Sequence, residues 1–228
     1  MSERMAKLLG ERRVAPSILS ADFARLGSQV DEVMAAGARV IHVDVMDGHF
    51  VPPITIGPLV AASIAERVHA AGGAIDVHLM IEKPEQQIAE FAKAGADSIS
   101  IHAEATPHIN RTLTAIREDG CLAGLAINPG TPVEAVRELR GYADILLCMT
   151  VNPGWGGQPF IPESPDKVAR LKSLAGEAAI EADGGIDADT APSVAAAGAS
   201  LFVAGSAVFR TDDPAGAYMA IASAADAE

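Results

Sequence analysis

Eight short aliphatic runs, separated by alanine-rich segments with helical spacing, constrain this chain more than any other feature. The runs fall at 14–19, 40–45, 75–80, 98–101, 123–127, 145–149, 179–182 and 201–203. Several intervening segments end in the same punctuation, Ala36-Gly37-Ala38, Ala71-Gly72-Gly73, Ala94-Gly95-Ala96 and Ala197-Gly198-Ala199. Glycine there fits a left-handed helix C-cap before the next strand. Apolar runs without strict alternation indicate strands covered on both faces, and strands alternating with helices indicate parallel β-α-β units. Eight such units in 228 residues predict an α/β fold of the TIM (β/α)8 barrel type. A doubly wound open sheet is the main rival, but it needs fewer strands and a GxGxxG turn after the first, which is absent.

No linker or shift of composition interrupts the pattern, so residues 1–228 read as a single domain. Residues 1–12 read as a loose N-terminal arm, and 220–228 as a tail that frays after a final helix. At 49% hydrophobic the chain can bury a full core. Its 17 basic against 30 acidic residues leave a net charge of -13, which argues against nucleic acid or an anionic membrane as partner. Cys121 and Cys148 lack any paired spacing and read as reduced core thiols. The first residues, MSERMAKLLGERR, are charged throughout, and no run is long and apolar enough to span a bilayer, so the expected location is cytoplasmic.

The second run, VIHVDVMDGHF at 40–50, carries the chemistry. Alternation along a strand puts His42 and Asp44 on one face, and a strand ending in an imidazole and a carboxylate delivers polar groups to a site. His78 in DVHLM and Asp183 in EADGG stand at two further strand ends, on the face where barrels of this type carry their active sites. Singly, each has a plain structural reading: a hydrogen-bonded histidine, or an aspartate capping the next helix. Together, four such groups converging on one mouth leave unpaired charge in a confined space, which a zinc, iron, manganese or cobalt ion would compensate. Glycine-rich turns follow the sixth, seventh and eighth runs, at Gly154-Trp155-Gly156-Gly157, Gly184-Gly185 and Gly205-Ser206. Each alone is a tight turn; three neighbouring ones favour a cradle for a phosphate.

These residues resemble ribulose-phosphate 3-epimerases. The likeness runs through APSILSADF at 15–23, HVDVMDGHFVP at 42–52, DVHLMIEKPE at 76–85, NPGT at 128–131, MTVNPGWGGQ at 149–158, ADGGI at 182–186 and AGSAVF at 204–209, in the family's order. It implies that His42, Asp44, His78 and Asp183 bind one divalent metal and that Asp44 and Asp183 serve as the acid and base pair. It further implies substrate contacts from Ser17, His78, Gly154, Trp155, Gly156, Gly157, Gly184, Gly185, Gly205 and Ser206, in a pocket lined by Met46, Met80 and Met149. The methionines alone read equally well as core residues. Trp155 stands where the family usually has phenylalanine, and Pro53 where asparagine is common, which removes a donor from a loop beside the site.

The implied reaction interconverts D-ribulose 5-phosphate and D-xylulose 5-phosphate through an enediolate, in the pentose phosphate pathway or in carbon fixation. The implied partner is a small sugar phosphate, and the implied assembly a homo-oligomer. A D-allulose 6-phosphate 3-epimerase would use the same residues. A metal-free phosphate-binding lyase or synthase leaves the two-histidine, two-aspartate set unexplained, and a phosphosugar-binding module without catalysis would lack a ligand or an acid-base carboxylate.

Overall fold

The computed structural model describes residues 2–227 and, among these, turns the eight runs into parallel strands β1 (Arg13–Pro16), β2 (Val40–Met46), β3 (Ala74–Met80), β4 (Ser98–His102), β5 (Leu122–Ile127), β6 (Ile145–Met149), β7 (Ala179–Asp183) and β8 (Leu201–Ala204). They pair in the order β1-β8-β7-β6-β5-β4-β3-β2. A parallel bridge between Ser17 and His42 joins the two ends, so the sheet is a TIM barrel. The first strand is shorter than the run at 14–19. Proline at 16 ends it, and the Ser17 hydroxyl accepts a 3.3 Å bond from the Leu19 amide, which opens a 3-10 turn over Ile18–Ser20.

The strands alternate more than their aliphatic composition suggests. Val43, Val45, Val77, Leu79, Ile99 and Ile101 belong to the main core cluster between barrel and helices. Their neighbours in sequence, His42, Asp44, Asp76, His78, Ser98, Ser100 and His102, are buried and polar. The outward face thus holds the barrel to its helical jacket by hydrophobic burial, while the inward face fills the upper barrel with hydrogen-bonding groups. The lower end is apolar inside, where Val40, Ala74, Leu122, Ile145 and Leu201 form a separate cluster.

That lower cluster overturns the expectation of a loose N-terminal arm. Residues Glu3–Leu8 form a helix whose Met5 is fully buried against it. Ser2 and Arg4 anchor the helix to Asp97 Oδ1 at 2.6 and 2.8 Å. An open lower mouth would leave aliphatic side chains wet, and one amphipathic turn with a methionine at its centre covers them. The expected fraying from residue 220 is likewise absent through Asp226. The last helix, Pro214–Asp226, packs Tyr218, Ile221 and Ala225 into the core; Glu228 lies outside the described residues. Cys121 and Cys148 are free and buried. No helix among the described residues is long and apolar enough to cross a membrane.

Candidate active site

Strand alternation brings His42 and Asp44 of β2, His78 of β3 and Asp183 of β7 together at the C-terminal mouth, each offering a ligand atom within 4.8 Å of the others. Asp44 is the hub. Its Oδ1 lies 3.3 Å from His42 Nε2 and 3.2 Å from His78 Nδ1, and its Oδ2 accepts a 2.5 Å bond from the Ser17 hydroxyl. His78 Nδ1 is also 3.2 Å from Asp183 Oδ2. Both histidine side chains are fully buried beneath the two aspartates, which face the pocket.

The protonation of His42 follows from its neighbours. Its Nδ1 lies 2.7 Å from Asp76 Oδ2, while Asp76 Oδ1 accepts from the Ser98 hydroxyl. A carboxylate only accepts, so in the neutral ring Nδ1 carries the hydrogen and Nε2 the lone pair. That lone pair has no hydrogen-bond partner and faces the Asp44 carboxylate. Acceptor facing acceptor at this burial is unfavourable unless a cation lies between them. Two imidazole nitrogens and two carboxylates are a donor set suited to a borderline divalent ion, so the residues present fit a metal.

A proton feels the same field. Burial opposes charging His42 and His78, yet Asp44 with Asp76 and Glu181 carries His42 well above its ordinary value, and Asp183 with Asp44 carries His78 up to about 9. The two aspartates diverge. Burial would raise Asp44, but His42 and His78 hold it far below the usual carboxylate range. Asp183 is raised, by burial and by the charge of Asp44. One carboxylate is therefore held ionised while the charged form of its neighbour is disfavoured, the divergence by which a carboxylate pair divides base and acid roles.

Above this floor the pocket is lined by Ser17, Met46, Met80, Met149, Gly154, Trp155, Gly156, Gly157, Gly184, Gly185, Gly205 and Ser206, so the structure gathers the sequence-predicted residues around one cavity. The methionines are nearly buried walls, whereas Trp155 is 60% exposed at the rim. Gly184 and Gly185 have φ of +116° and +66°. A Cβ on Gly185 would lie 2.8 Å from the Phe160 backbone, so only glycine lets the 150s loop lie on this turn. Pro53 does not open its loop. Its carbonyl accepts from the Gly48 amide at 2.9 Å, and its ring packs near Gly154.

The sequence reading missed Ser20 and Gln158 in the pocket wall, and the polar layer behind the histidines: Asp76, Glu181, His102 and Glu104. Glu104 Oε2 lies 3.2 Å from His102 Nδ1, while Oε1 accepts from the Asn128 amide at 2.9 Å and from the Thr131 hydroxyl. Lys167 holds the other side of that loop through the carbonyls of Asn128 and Pro129. Burial would raise Glu104, but these donors bring it down from 4.5 to about 2. A depressed carboxylate contributes stability that is complete above its unfolded value and is lost as pH falls through the folded one. Between pH 4.5 and 2, chelator-treated wild type will therefore lose more stability than Glu104→Gln, as read by denaturant midpoints at each pH. Parallel acid limbs would show that the clamp does not form.

The ribulose-phosphate 3 epimerase family profile matches residues 13–209, which span β1 to the turn after β8. The chain belongs to this family. Two relatives named ribulose-phosphate 3-epimerase, from Bacillus subtilis and Rhodobacter capsulatus, are each 51% identical to it. The first aligns over 88% of this chain and 94% of its own length, the second over 87% and 86%. Among solved structures, Mycobacterium tuberculosis tryptophan synthase superposes with a TM-score of 0.76 at 14% identity, covering 100% of both chains. Salmonella typhimurium 3-hexulose-6-phosphate synthase superposes at 0.72 and 18% identity, covering 93% of this chain and 98% of its own. At those identities the likeness establishes the barrel alone. In this family member, the matched segment contains every residue of the cluster and its pocket.

Proposed function

We propose that this chain is an epimerase that interconverts D-ribulose 5-phosphate and D-xylulose 5-phosphate at C3. The observation that carries this reading is the Asp44/Asp183 pair: two carboxylates from distant strands, both within 3.2 Å of one imidazole nitrogen and displaced in opposite directions from their ordinary acidity. Inverting a carbon next to a carbonyl requires removal of a proton from one face and return of one to the other. A single group cannot reach both.

Asp44, ionised and oriented by the Ser17 hydroxyl, takes the C3 proton of one epimer, and Asp183, in its acid form, delivers a proton to the opposite face. In the reverse direction the roles exchange. His42, Asp44, His78 and Asp183 would hold one divalent metal ion, which when bound supplies Lewis-acid stabilisation of the oxygen charge that develops on the enediolate. Met46, Met80 and Met149 surround the reacting carbons with apolar surface that excludes solvent. The turns at 154–157, Gly184-Gly185 and Gly205-Ser206 would take the phosphate through backbone amides and the Ser206 hydroxyl, which lets a chain of net charge -13 hold an anion without lining its pocket with lysine or arginine.

The test is proton NMR of D-ribulose 5-phosphate with the purified protein in D₂O, with added divalent metal and after chelation. Metal-dependent formation of xylulose 5-phosphate carrying deuterium at C3 is the expected result. No exchange with either pentulose, but exchange with D-allulose 6-phosphate, would replace the substrate and keep the chemistry. Binding of both sugar phosphates without any exchange would overturn the catalytic reading.

A further inference from the structure

The second imidazole of the cluster, His78, has a backing unlike that of His42. Its Nδ1 faces Asp44 and Asp183, and its Nε2 lies 2.8 Å from another imidazole nitrogen, His102 Nε2. Two imidazoles in such contact cannot both donate or both accept. Glu104 decides between them. Its Oε1 is engaged by the Asn128 amide and the Thr131 hydroxyl, and its Oε2 lies 3.2 Å from His102 Nδ1. The carboxylate accepts, so His102 carries its hydrogen on Nδ1 and presents a lone pair at Nε2. In its neutral form His78 must then carry its one hydrogen on Nε2, which leaves the Nδ1 lone pair pointing at the two aspartates. The order is fixed from the loop inward, through two rings.

Rotation of the middle ring would break the order, and packing prevents it. His102 is fully buried, edge to edge with His78 at a centroid distance of 4.9 Å and an interplanar angle of 26°, with the Phe50 ring 4.8 Å from its own centroid.

We infer that His102 and Glu104 are positioning residues that set the tautomer and ring orientation of His78, so that its Nδ1 is presented as a metal ligand. The inference rests on the metal site proposed above. It places the control of one ligand at Glu104 and His102, outside the pocket lining, with the loop after β5 only steadying the carboxylate. Outer partners of ligating histidines commonly govern affinity by 10- to 100-fold or so. Glutamine at 104 can satisfy the loop or the ring, but not both. With the amide oxygen kept on Asn128 and Thr131, its NH₂ faces a donor at His102 Nδ1 and drives the hydrogens of both rings around. With the amide reversed, it gives up the loop.

The experiment titrates cobalt(II) into chelator-stripped wild type, Glu104→Gln, His102→Leu, His102→Gln and Thr131→Ala, and reads affinity from the visible absorption of the bound ion and from competition with a chelator. Glu104→Gln and His102→Leu are expected to bind about 10- to 100-fold more weakly. His102→Gln keeps an acceptor toward His78 and a donor toward Glu104, so it stays close to wild type. Thr131→Ala loosens the loop without touching either ring and also stays close. In the zinc-loaded wild type, ¹⁵N chemical shifts should place the His78 hydrogen on Nε2. Equal affinities across the set, a loss in Thr131→Ala as large as in Glu104→Gln, or a hydrogen on His78 Nδ1 would each overturn this inference alone. Wild type that binds no cobalt would overturn it together with the metal reading.

Discussion

Asp183→Asn is expected to fold, to bind sugar phosphate, and to turn over at least ~100-fold more slowly than wild type at saturating metal, the usual scale for a positioned acid or base. That factor corresponds to about 2.7 kcal/mol of transition-state stabilisation. The substitution keeps shape and removes the ionisable proton, so folding measured by melting temperature should change little beside the loss in rate. The two-carboxylate scheme makes a sharper demand than slowness. With Asp44 intact, one epimer should still exchange its C3 hydrogen with D₂O while failing to invert, because the group that serves the opposite face no longer shuttles a proton. Turnover near wild type, or equal loss of exchange and inversion from both epimers, would exclude the division of labour between Asp44 and Asp183.

The barrel was readable from sequence because its signal is repeated: eight aliphatic runs and recurrent glycine caps all specify the same unit. The candidate metal-site residues were readable for a related reason. His42 and Asp44 sit two residues apart, and Asp183 precedes a double glycine, so period-two alternation and turn chemistry expose them together. The same alternation also puts Asp76 with His78, Glu181 with Asp183, and Ser98, Ser100 and His102 on one face. That layer went unread because Val77, Ile99 and Ile101 make those strands look like ordinary covered β-structure, and because a buried carboxylate acquires meaning only from the partner behind it. Asp76 matters through His42, 34 residues away, and Glu104 through a loop 24 residues downstream. Pairings across the barrel depend on strand order and stagger, which no local pattern states. The N-terminal helix failed for a third reason. Six residues with one buried methionine form too weak a periodic signal to separate from a charged arm, and only the open apolar mouth beneath the barrel gives Met5 a place to go.

The proposed phosphate side of the site makes its own demand on backbone geometry, and Gly184→Ala tests it. Gly184 follows Asp183 directly at φ +116°, a region L-residues rarely enter, and a Cβ there would lie 2.3 Å from a γ-carbon of Val151. Backbone strain and overpacking together should cost about 3 kcal/mol, which for a domain of this size lowers Tm by roughly 6–12 °C. The loss cannot be relieved by moving Asp183, because the Asp183 carbonyl accepts from the Thr150 amide at 2.8 Å and ties the two strand ends together. The two contributions are separable. Val151→Ala in the Gly184→Ala background removes the γ-carbons at 2.3 and 2.8 Å but leaves both the φ strain and the Val151 Cβ at 2.9 Å, so it should restore part of the stability and not all of it. If the turn also presents amides to the phosphate as proposed, KM for the sugar phosphate stays elevated in the double variant even where stability recovers. Full recovery of both would mean that the glycine serves only to make room for Val151; no loss in the single variant would mean that the turn has another conformation open to it.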